Sequence, residues 1–176
     1  MRISWAVILI LLASIASANS LFVETELSPI LRGVYAIHAG IEILPNRIDA
    51  FGTYMGGGGS RSSSTFLRPS SGEFKHRCFG LGIRVSRDHR VSGRFQSFNL
   101  RIAQTDWSTA NYDPVQDNHI AIVWSQGRRY YKVGTHYFSW SFDLGIQRIH
   151  RIHSEREEMR IAGIIGLTFS LGFYAF

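Results

Sequence analysis

From Phe138 onward, the segment HYFSWSFDLGIQ (residues 136–147) alternates apolar and polar side chains at every position. An extended strand places successive side chains on opposite faces, whereas a helix would scatter these residues around its circumference. The segment therefore predicts a β-strand with one apolar and one polar face. The apolar face carries Phe138, Trp140, Phe142, Leu144 and Ile146.

The same alternation recurs along most of the chain and predicts an all-β fold. It is clear in YAIHAGIEIL, FKHRCFGLGIRV and IGLTFSLGF, and weaker in IDAFGTYM. In RVSGRFQSFNLRIA the apolar residues change phase, so a β-bulge is expected near Gln96 and Ser97. Eight strands are predicted, at residues 20–29, 33–44, 47–58, 74–86, 90–105, 118–130, 134–148 and 160–176.

The predicted connections alternate between short turns and longer loops. LPNR, SRDHR and KVGT are typical of turns, and residues 58–72, 106–117 and 149–159 are interpreted as loops. The stretch GGGGSRSSS (residues 56–64) lacks the pattern and the following helix of a phosphate-binding loop, so it is interpreted as a flexible surface loop. Eight antiparallel strands joined in this way predict a closed up-and-down barrel, because closure leaves no strand edge unpaired.

The N-terminus has the features of a cleaved signal peptide over residues 1–18. Arg2 precedes an apolar run, and Ala16-Ser17-Ala18 fits a cleavage site. Residues 19–176 are then predicted to form one barrel domain. No later segment offers the roughly 18 consecutive apolar residues of a membrane-spanning helix, although 45% of the chain is hydrophobic and only 18% is charged.

Two kinds of barrel could be built from these strands, and they differ in the face that is turned inward. A soluble lipocalin-like barrel encloses an apolar ligand, whereas a membrane barrel turns its apolar face outward to lipid. The apolar face here is uniformly aliphatic and aromatic, and the acids and bases of the other face could pair inside a narrow barrel. This favours the membrane barrel. The polar face carries Glu24, Glu26, His38, Glu42, Arg84, Arg94, Arg101 and Asp143.

Two further properties of such a barrel can be predicted. Eight strands leave an interior that side chains fill, so a pore for solutes is not expected. Aromatic girdles are typical of the ends of membrane-crossing strands. Five residues near the predicted strand ends fit that position: Tyr54, Trp107, Tyr130, Tyr131 and Tyr137.

The leader, the eight alternating strands and the final Tyr174-Ala175-Phe176 resemble the small outer-membrane β-barrels of Gram-negative bacteria, of the opacity-protein, OmpA-transmembrane-domain and OmpX type. The resemblance implies a monomer in the cell outer membrane that contacts outer-membrane lipid and lipopolysaccharide. It also implies that Tyr174 and Phe176 form the terminal aromatic signal read by the barrel-assembly machinery. Phe176 is out of phase with Phe173, so a bulge or twist is expected at the end of the strand.

Enzymatic chemistry is considered because some barrels of this size act on lipid A through a His-x-Ser pair on a late strand and a separate glutamate. Here His136 and Ser139 have the wrong spacing. The adjacent residues His153, Ser154 and Glu155 would alternate between the two faces of a strand and could not form a nucleophile–base pair without a bend. No catalytic residue is therefore predicted.

No metal, cofactor or nucleic-acid site is predicted either. The histidines and glutamates of residues 150–158 are interpreted as a solvated charged loop, because a metal site needs three or four convergent ligands. The net charge of +6 is not organised into a basic stripe of the kind that binds nucleic acid. The single cysteine, Cys78, excludes an internal disulfide.

The expected function is non-enzymatic: a structural or surface-interaction role, adhesin- or opacity-like, carried by the extracellular loops. Four cations flank the first long loop and could pair with lipopolysaccharide phosphates: Arg61, Arg68, Lys75 and Arg77. The alternatives are a lipid A-modifying acyl hydrolase and a soluble exported barrel that binds an apolar ligand.

Overall fold

The computed structural model describes residues 20–27, 33–44, 48–61, 72–87, 92–109, 112–131, 136–153 and 156–175. The predicted signal peptide lies outside them. Over these ranges, none of the chain forms a helix long and apolar enough to cross a membrane. Eight antiparallel strands form a closed barrel in sequence order, with β1 paired to β8. The strands are β1 (Leu21–Glu26), β2 (Val34–Leu44), β3 (Ile48–Arg61), β4 (Gly72–Ser86), β5 (Ser92–Thr109), β6 (Tyr112–Tyr131), β7 (His136–Ile152) and β8 (Glu157–Ala175).

The strand register fixes the shape of the barrel. A row of paired residues that leaves β8 at Gly163 returns to β8 at Phe173, after passing through Ile146, Ile122, Leu100, Leu81, Gly52, Ala39 and Val23. The return is ten residues further along the strand, which gives a shear number of 10 for eight strands. With ordinary strand spacings, this inclines the strands by about 40° to the barrel axis.

Outward-facing side chains form an apolar belt around the barrel. The predicted alternation is confirmed on β4, β7 and β8, where apolar side chains are exposed at every second position and the side chains between them are more buried. Asp49, Phe51 and Thr53 on β3, whose facing the sequence left open, point inward. The belt includes Ile37, Phe79, Leu81, Ile83, Phe98, Leu100, Ile102, Ile122, Phe142, Leu144, Ile146, Ile165, Leu167, Phe169 and Leu171.

Glycines on the inner face make room for large rings on the neighbouring strand. A Cβ at Gly82 would lie 2.4 Å from Cζ of Phe51, and a Cβ at Gly172 would lie 2.3 Å from Cζ of Tyr137. Each ring stands directly opposite its glycine in the strand register. The pairs are Phe22 with Gly40, Phe51 with Gly82, Phe95 with Gly127 and Tyr137 with Gly172.

The predicted bulge near Gln96 and Ser97 is wrong. The pairing of β5 with both neighbours continues through these residues, and the register of β5 with β6 shifts only between Trp107 and Thr109. Phe95 is a buried interior residue, whereas Arg94 is exposed and faces outward. The alternation of residue types changes phase because the aromatic Phe95 lies inside the barrel, where a polar residue was expected, and Arg94 lies outside, where an apolar residue was expected.

Two of the three predicted loops are largely strand, and the described residues of the third are strand as well. Gly56–Arg61 continues β3, so the expected flexible glycine loop is wrong for these residues, which pair with β4 up to Gly72. Most of residues 106–117 extend β5 and β6, and most of residues 149–159 extend β7 and β8. Polar side chains occur on both faces of these extensions, beside a few apolar ones such as Val115 and Ile149, so hydrophobic alternation disappears although the backbone pairing continues.

The two ends of the barrel differ in their connections. We call the turn end the one where β1 begins and β8 ends, with connections at residues 45–47, 87–91 and 132–135. The loop end carries the connections at residues 27–33, 62–71, 110–111 and 153–156. The long β5–β6 and β7–β8 pairs extend the barrel wall at the loop end.

Candidate functional site

A buried ionic cluster fills the interior of the barrel. Its centre is Glu24, whose Oε2 accepts hydrogen bonds from Nη2 of Arg84 at 2.9 Å and from the Tyr137 hydroxyl at 3.0 Å. Its Oε1 accepts a third hydrogen bond from Ser139 at 3.0 Å. Carboxylate and guanidinium are almost fully buried, so each depends on the other for charge compensation.

Aromatic rings enclose the two central arginines of this cluster. The Arg84 guanidinium carbon lies 5.0–5.4 Å from the ring centres of Phe22, Phe51 and Phe95. Arg129 lies 4.5 Å from the Tyr137 ring centre and donates a 2.6 Å hydrogen bond to the Tyr174 hydroxyl. Ionic and cation–π contacts thus join strands across the interior.

A second interior group has the order carboxylate, imidazole and hydroxyl. Nε2 of His38 lies 2.7 Å from Oε1 of Glu26, and its Nδ1 lies 2.9 Å from Oγ1 of Thr53. The order is that of a catalytic triad, but all three residues are buried, and Asn99 also donates a hydrogen bond to Thr53. The adjoining cavity holds about 30 Å³, enough for one or two water molecules and too little for a substrate.

The hydrolase candidates of the sequence are not brought together. His136 is exposed on the outside, with its ring 6.4 Å from that of Phe173. Ser139 is buried inside and donates its hydroxyl hydrogen to Glu24. The His153-Ser154-Glu155 candidate includes two residues, 154 and 155, outside the described ranges.

The histidines and glutamates near the loop end form pairs rather than a cage. Nε2 of His150 lies 3.1 Å from Glu157, while Glu158 contacts Arg160 at 2.5 Å. Throughout the described ranges, no three His, Cys, Asp or Glu side chains are placed to hold a metal ion.

An open groove lies on the barrel wall near the loop end, beside two of the predicted lipopolysaccharide-contacting residues. Lys75 and Arg77 are exposed on β4 just beyond the apolar belt, and they pair in register with Gly58 and Gly56 of β3. Because these glycines have no side chains, a groove of about 440 Å³ remains between the strands. Tyr35 and Tyr54 line it further along, with ring centres 5.9 Å apart.

The groove carries charges of both signs. Glu73, exposed on β4, lines it together with Lys75 and Arg77. Asp106 stands opposite Lys75 in the register, and its Oδ1 accepts hydrogen bonds from Gln104 at 3.0 Å and from Gln116 at 3.1 Å. The hydrogen bond from Gln104 and the nearby cations hold the pKa of the Asp106 carboxyl below its usual value. Two carboxylates, Glu73 and Asp106, therefore lie near the two cations Lys75 and Arg77.

The other predicted site residues lie elsewhere. Arg61 is the last residue of β3, and Arg68 and Phe176 lie outside the described residues. Tyr174 points inward, where its ring packs 5.7 Å from that of Phe22. The pairing of β8 with β1 runs without a shift to Ala175, so no bulge precedes Phe176.

Two of the predicted girdle residues are interior instead. Tyr54 and Tyr130 are exposed on the outside, but Tyr137 is buried in the ionic cluster, and Trp107 donates a 3.0 Å hydrogen bond to the buried Asp117. The alternation of faces along β7 indicates that Tyr137 points inward, because it shares a strand face with Ser139 and Ser141.

Comparison with known proteins gives a structural relative. No protein-family model matches the sequence, and no curated protein matches it. The fold is similar to the crystal structure of a major outer membrane protein from Thermus thermophilus, with a TM-score of 0.51 and 6% sequence identity. The match covers 89% of this chain and 98% of that chain. At this identity the likeness shows a shared β-barrel fold alone.

Proposed function

We propose that this protein is an integral outer-membrane β-barrel with a structural or surface-interaction role and no enzymatic activity. The outward-facing apolar belt is the observation that carries the proposal. On β7 the belt lies between the exposed residues His136 and Arg148, a distance of about 30 Å along the axis at the expected strand rise and tilt. The apolar residues between these two, from Phe138 to Ile146, cover about 20 Å of that distance, close to the apolar band of about 25 Å that is typical of outer-membrane barrels.

The contents of the barrel support a non-enzymatic role. The interior is polar and filled, so the part of the chain described by the structure offers no apolar ligand cavity of the lipocalin type. His136 and Ser139 lie on opposite surfaces of the wall, which argues against the acyl-hydrolase alternative. The long strand pairs at the loop end, together with the connections they carry, are the surfaces proposed to meet the exterior.

Gel mobility in detergent tests the closed barrel in a membrane-like medium. We expect the unheated protein to migrate differently from the boiled protein, because a hydrogen-bonded ring resists detergent until it is heated. Circular dichroism of the unheated sample should show β-structure. Identical mobility together with a helical spectrum would contradict the proposal.

We further propose that the groove near Lys75 and Arg77 contacts lipopolysaccharide phosphates, together with Arg61 and Arg68. Replacing all four with glutamine should weaken lipopolysaccharide association by about ten-fold, because charge-assisted hydrogen bonds to phosphate are lost. Co-purification with lipopolysaccharide from detergent extracts would measure the effect.

A control variant replaces three other exposed arginines near the same end with glutamine: Arg148, Arg156 and Arg160. This control should retain lipopolysaccharide, since two of its arginines lie beside Glu158. Unchanged association in the fourfold variant would refute the role of the groove.

A further inference from the structure

Three arginines stand side by side on the outer surface at the turn end. Arg87 follows β4, and its backbone N–H donates a 2.9 Å hydrogen bond to the carbonyl oxygen of Arg94 on β5. Arg94 is in turn the register partner of Arg128 on β6. All three are exposed and share the outward face, so they form one continuous row. We call Arg87, Arg94 and Arg128 the arginine row.

The arginine row has no acidic counterpart in the described part of the chain. None of the ion pairs formed there includes any of the three residues. Like charges directly opposite each other on neighbouring strands destabilise a sheet. The Arg128 guanidinium does lie 5.3 Å from the Tyr130 ring centre, which orients it without neutralising it. An external anion would remove the repulsion.

Residues next to the row combine polar and apolar character. Gln96 and Gln126 are register partners one step towards the middle of the barrel, and both are exposed. On the neighbouring strand β7, Trp140 stands opposite Arg128 and Phe142 opposite Gln126, and both aromatics belong to the apolar belt. The arginine row and these two glutamines thus occupy the edge of the apolar belt at the turn end, where the hydrocarbon and the headgroups of a bilayer would meet.

An anionic lipid fits a cationic row that adjoins a hydrocarbon-facing surface. A phosphate can accept bidentate, charge-assisted hydrogen bonds from guanidinium groups, and acyl chains can lie against the aromatic belt. The long arginine side chains can reach from the belt to the headgroup level. A free phosphate would make no use of the belt, and a neutral headgroup would leave the net positive charge in place.

We propose that the arginine row, with Gln96 and Gln126, binds the phosphate headgroup of an anionic phospholipid in the leaflet at the turn end of the barrel. The inference rests on the proposed function, because it requires the belt to lie in a bilayer. It adds a specific lipid site at the end of the barrel opposite to the lipopolysaccharide groove.

Native mass spectrometry of the full-length protein in detergent micelles tests this site, with phosphatidylglycerol as the probe and phosphatidylcholine as the neutral comparison. The protein should retain phosphatidylglycerol in preference. Replacing all three row arginines with glutamine should reduce that retention by about ten-fold, because the charge-assisted hydrogen bonds are lost. The matched control replaces Arg148, Arg156 and Arg160 with glutamine and should keep the preference.

Three outcomes would overturn the lipid site: unchanged retention in the row variant, equal loss in both triple variants, or displacement of the lipid by millimolar inorganic phosphate. Equal loss would mean that total charge, rather than the row, attracts the lipid. The gel-mobility test on the same samples separates this failure from that of the proposed function. A folded, heat-modifiable barrel without lipid preference contradicts only the lipid site.

Discussion

Replacing Glu24 with alanine is expected to destabilise the barrel by about 3–5 kcal/mol, the usual effect of removing one partner of a buried ion pair. The carboxylate accepts hydrogen bonds from Arg84, Tyr137 and Ser139. Without it, the ion-pair partner that remains to the buried Arg84 among the described residues is the more distant Asp49, at 3.9 Å. Urea unfolding of the detergent-folded protein, followed by gel mobility and tryptophan fluorescence, measures the change in the free energy of unfolding.

Glu73→Ala is the matched control, since Glu73 lies near the loop end of β4, away from the ionic cluster. Its effect should stay within about 0.5 kcal/mol, as for most surface substitutions. Glu24→Gln should fall between the two variants, because the amide oxygen can still accept a hydrogen bond but carries no charge. If Glu24→Ala unfolded at the same urea concentration as the unchanged protein, the ionic cluster would not stabilise the fold.

Replacing Gly82 with alanine should cost about 1–3 kcal/mol, the range for overpacking of a well-filled core. The new Cβ would lie 2.4 Å from the Phe51 ring and 2.7 Å from the backbone oxygen of Phe98. The ring packs against the Arg84 guanidinium at 5.2 Å and the His38 ring at 5.7 Å, and the carbonyl belongs to a paired strand. The same urea titration measures the effect.

The matched control for the glycine variant is Gly163→Ala, on the outward face of β8. A Cβ there meets no atom within 4 Å, so alanine should be neutral to within about 0.5 kcal/mol. Equal stability of the two alanine variants would contradict the proposed pairing of interior rings with glycines.

The strands of the apolar belt could be predicted from sequence because their outward and inward faces carry different residue types. On β7 and β8, large apolar residues that face outward alternate with serine, threonine or glycine residues that face the interior. Closure of the barrel could also be predicted, because an open sheet would leave the backbone groups of its edge strands unpaired. The inward direction of the polar face was predicted correctly for Glu24 and Arg84, which form an ion pair.

The errors on β5 have a common cause. Residue type was used to assign each position to a face, but Phe95 packs inside against Arg84 and Arg129, while Arg94 stands outside in the arginine row. The alternation of faces from Ser97 to Arg101, extended back along the strand, correctly places Phe95 inside and Arg94 outside. Hydrophobicity assigns Phe95 to the wrong face because, inside this barrel, aromatic rings pack against the buried arginines.

The extended strand pairs at the loop end could not be predicted from alternation. Their stability comes from side-chain contacts across strands, such as the bidentate pair of Arg151 with Asp117 at 2.6 and 2.7 Å. Trp107 on β5 donates a hydrogen bond to the same carboxylate. A polar sequence of this kind resembles a loop until its partners on the neighbouring strands are known.

The central claim is that the apolar belt lies in the outer membrane, and fractionation of cells that make the protein tests it most directly. After separation of inner and outer membranes on a density gradient and an alkaline wash, the protein should remain in the outer-membrane fraction and be released only by detergent. Recovery in the soluble fraction, or release by the alkaline wash without detergent, would contradict the account.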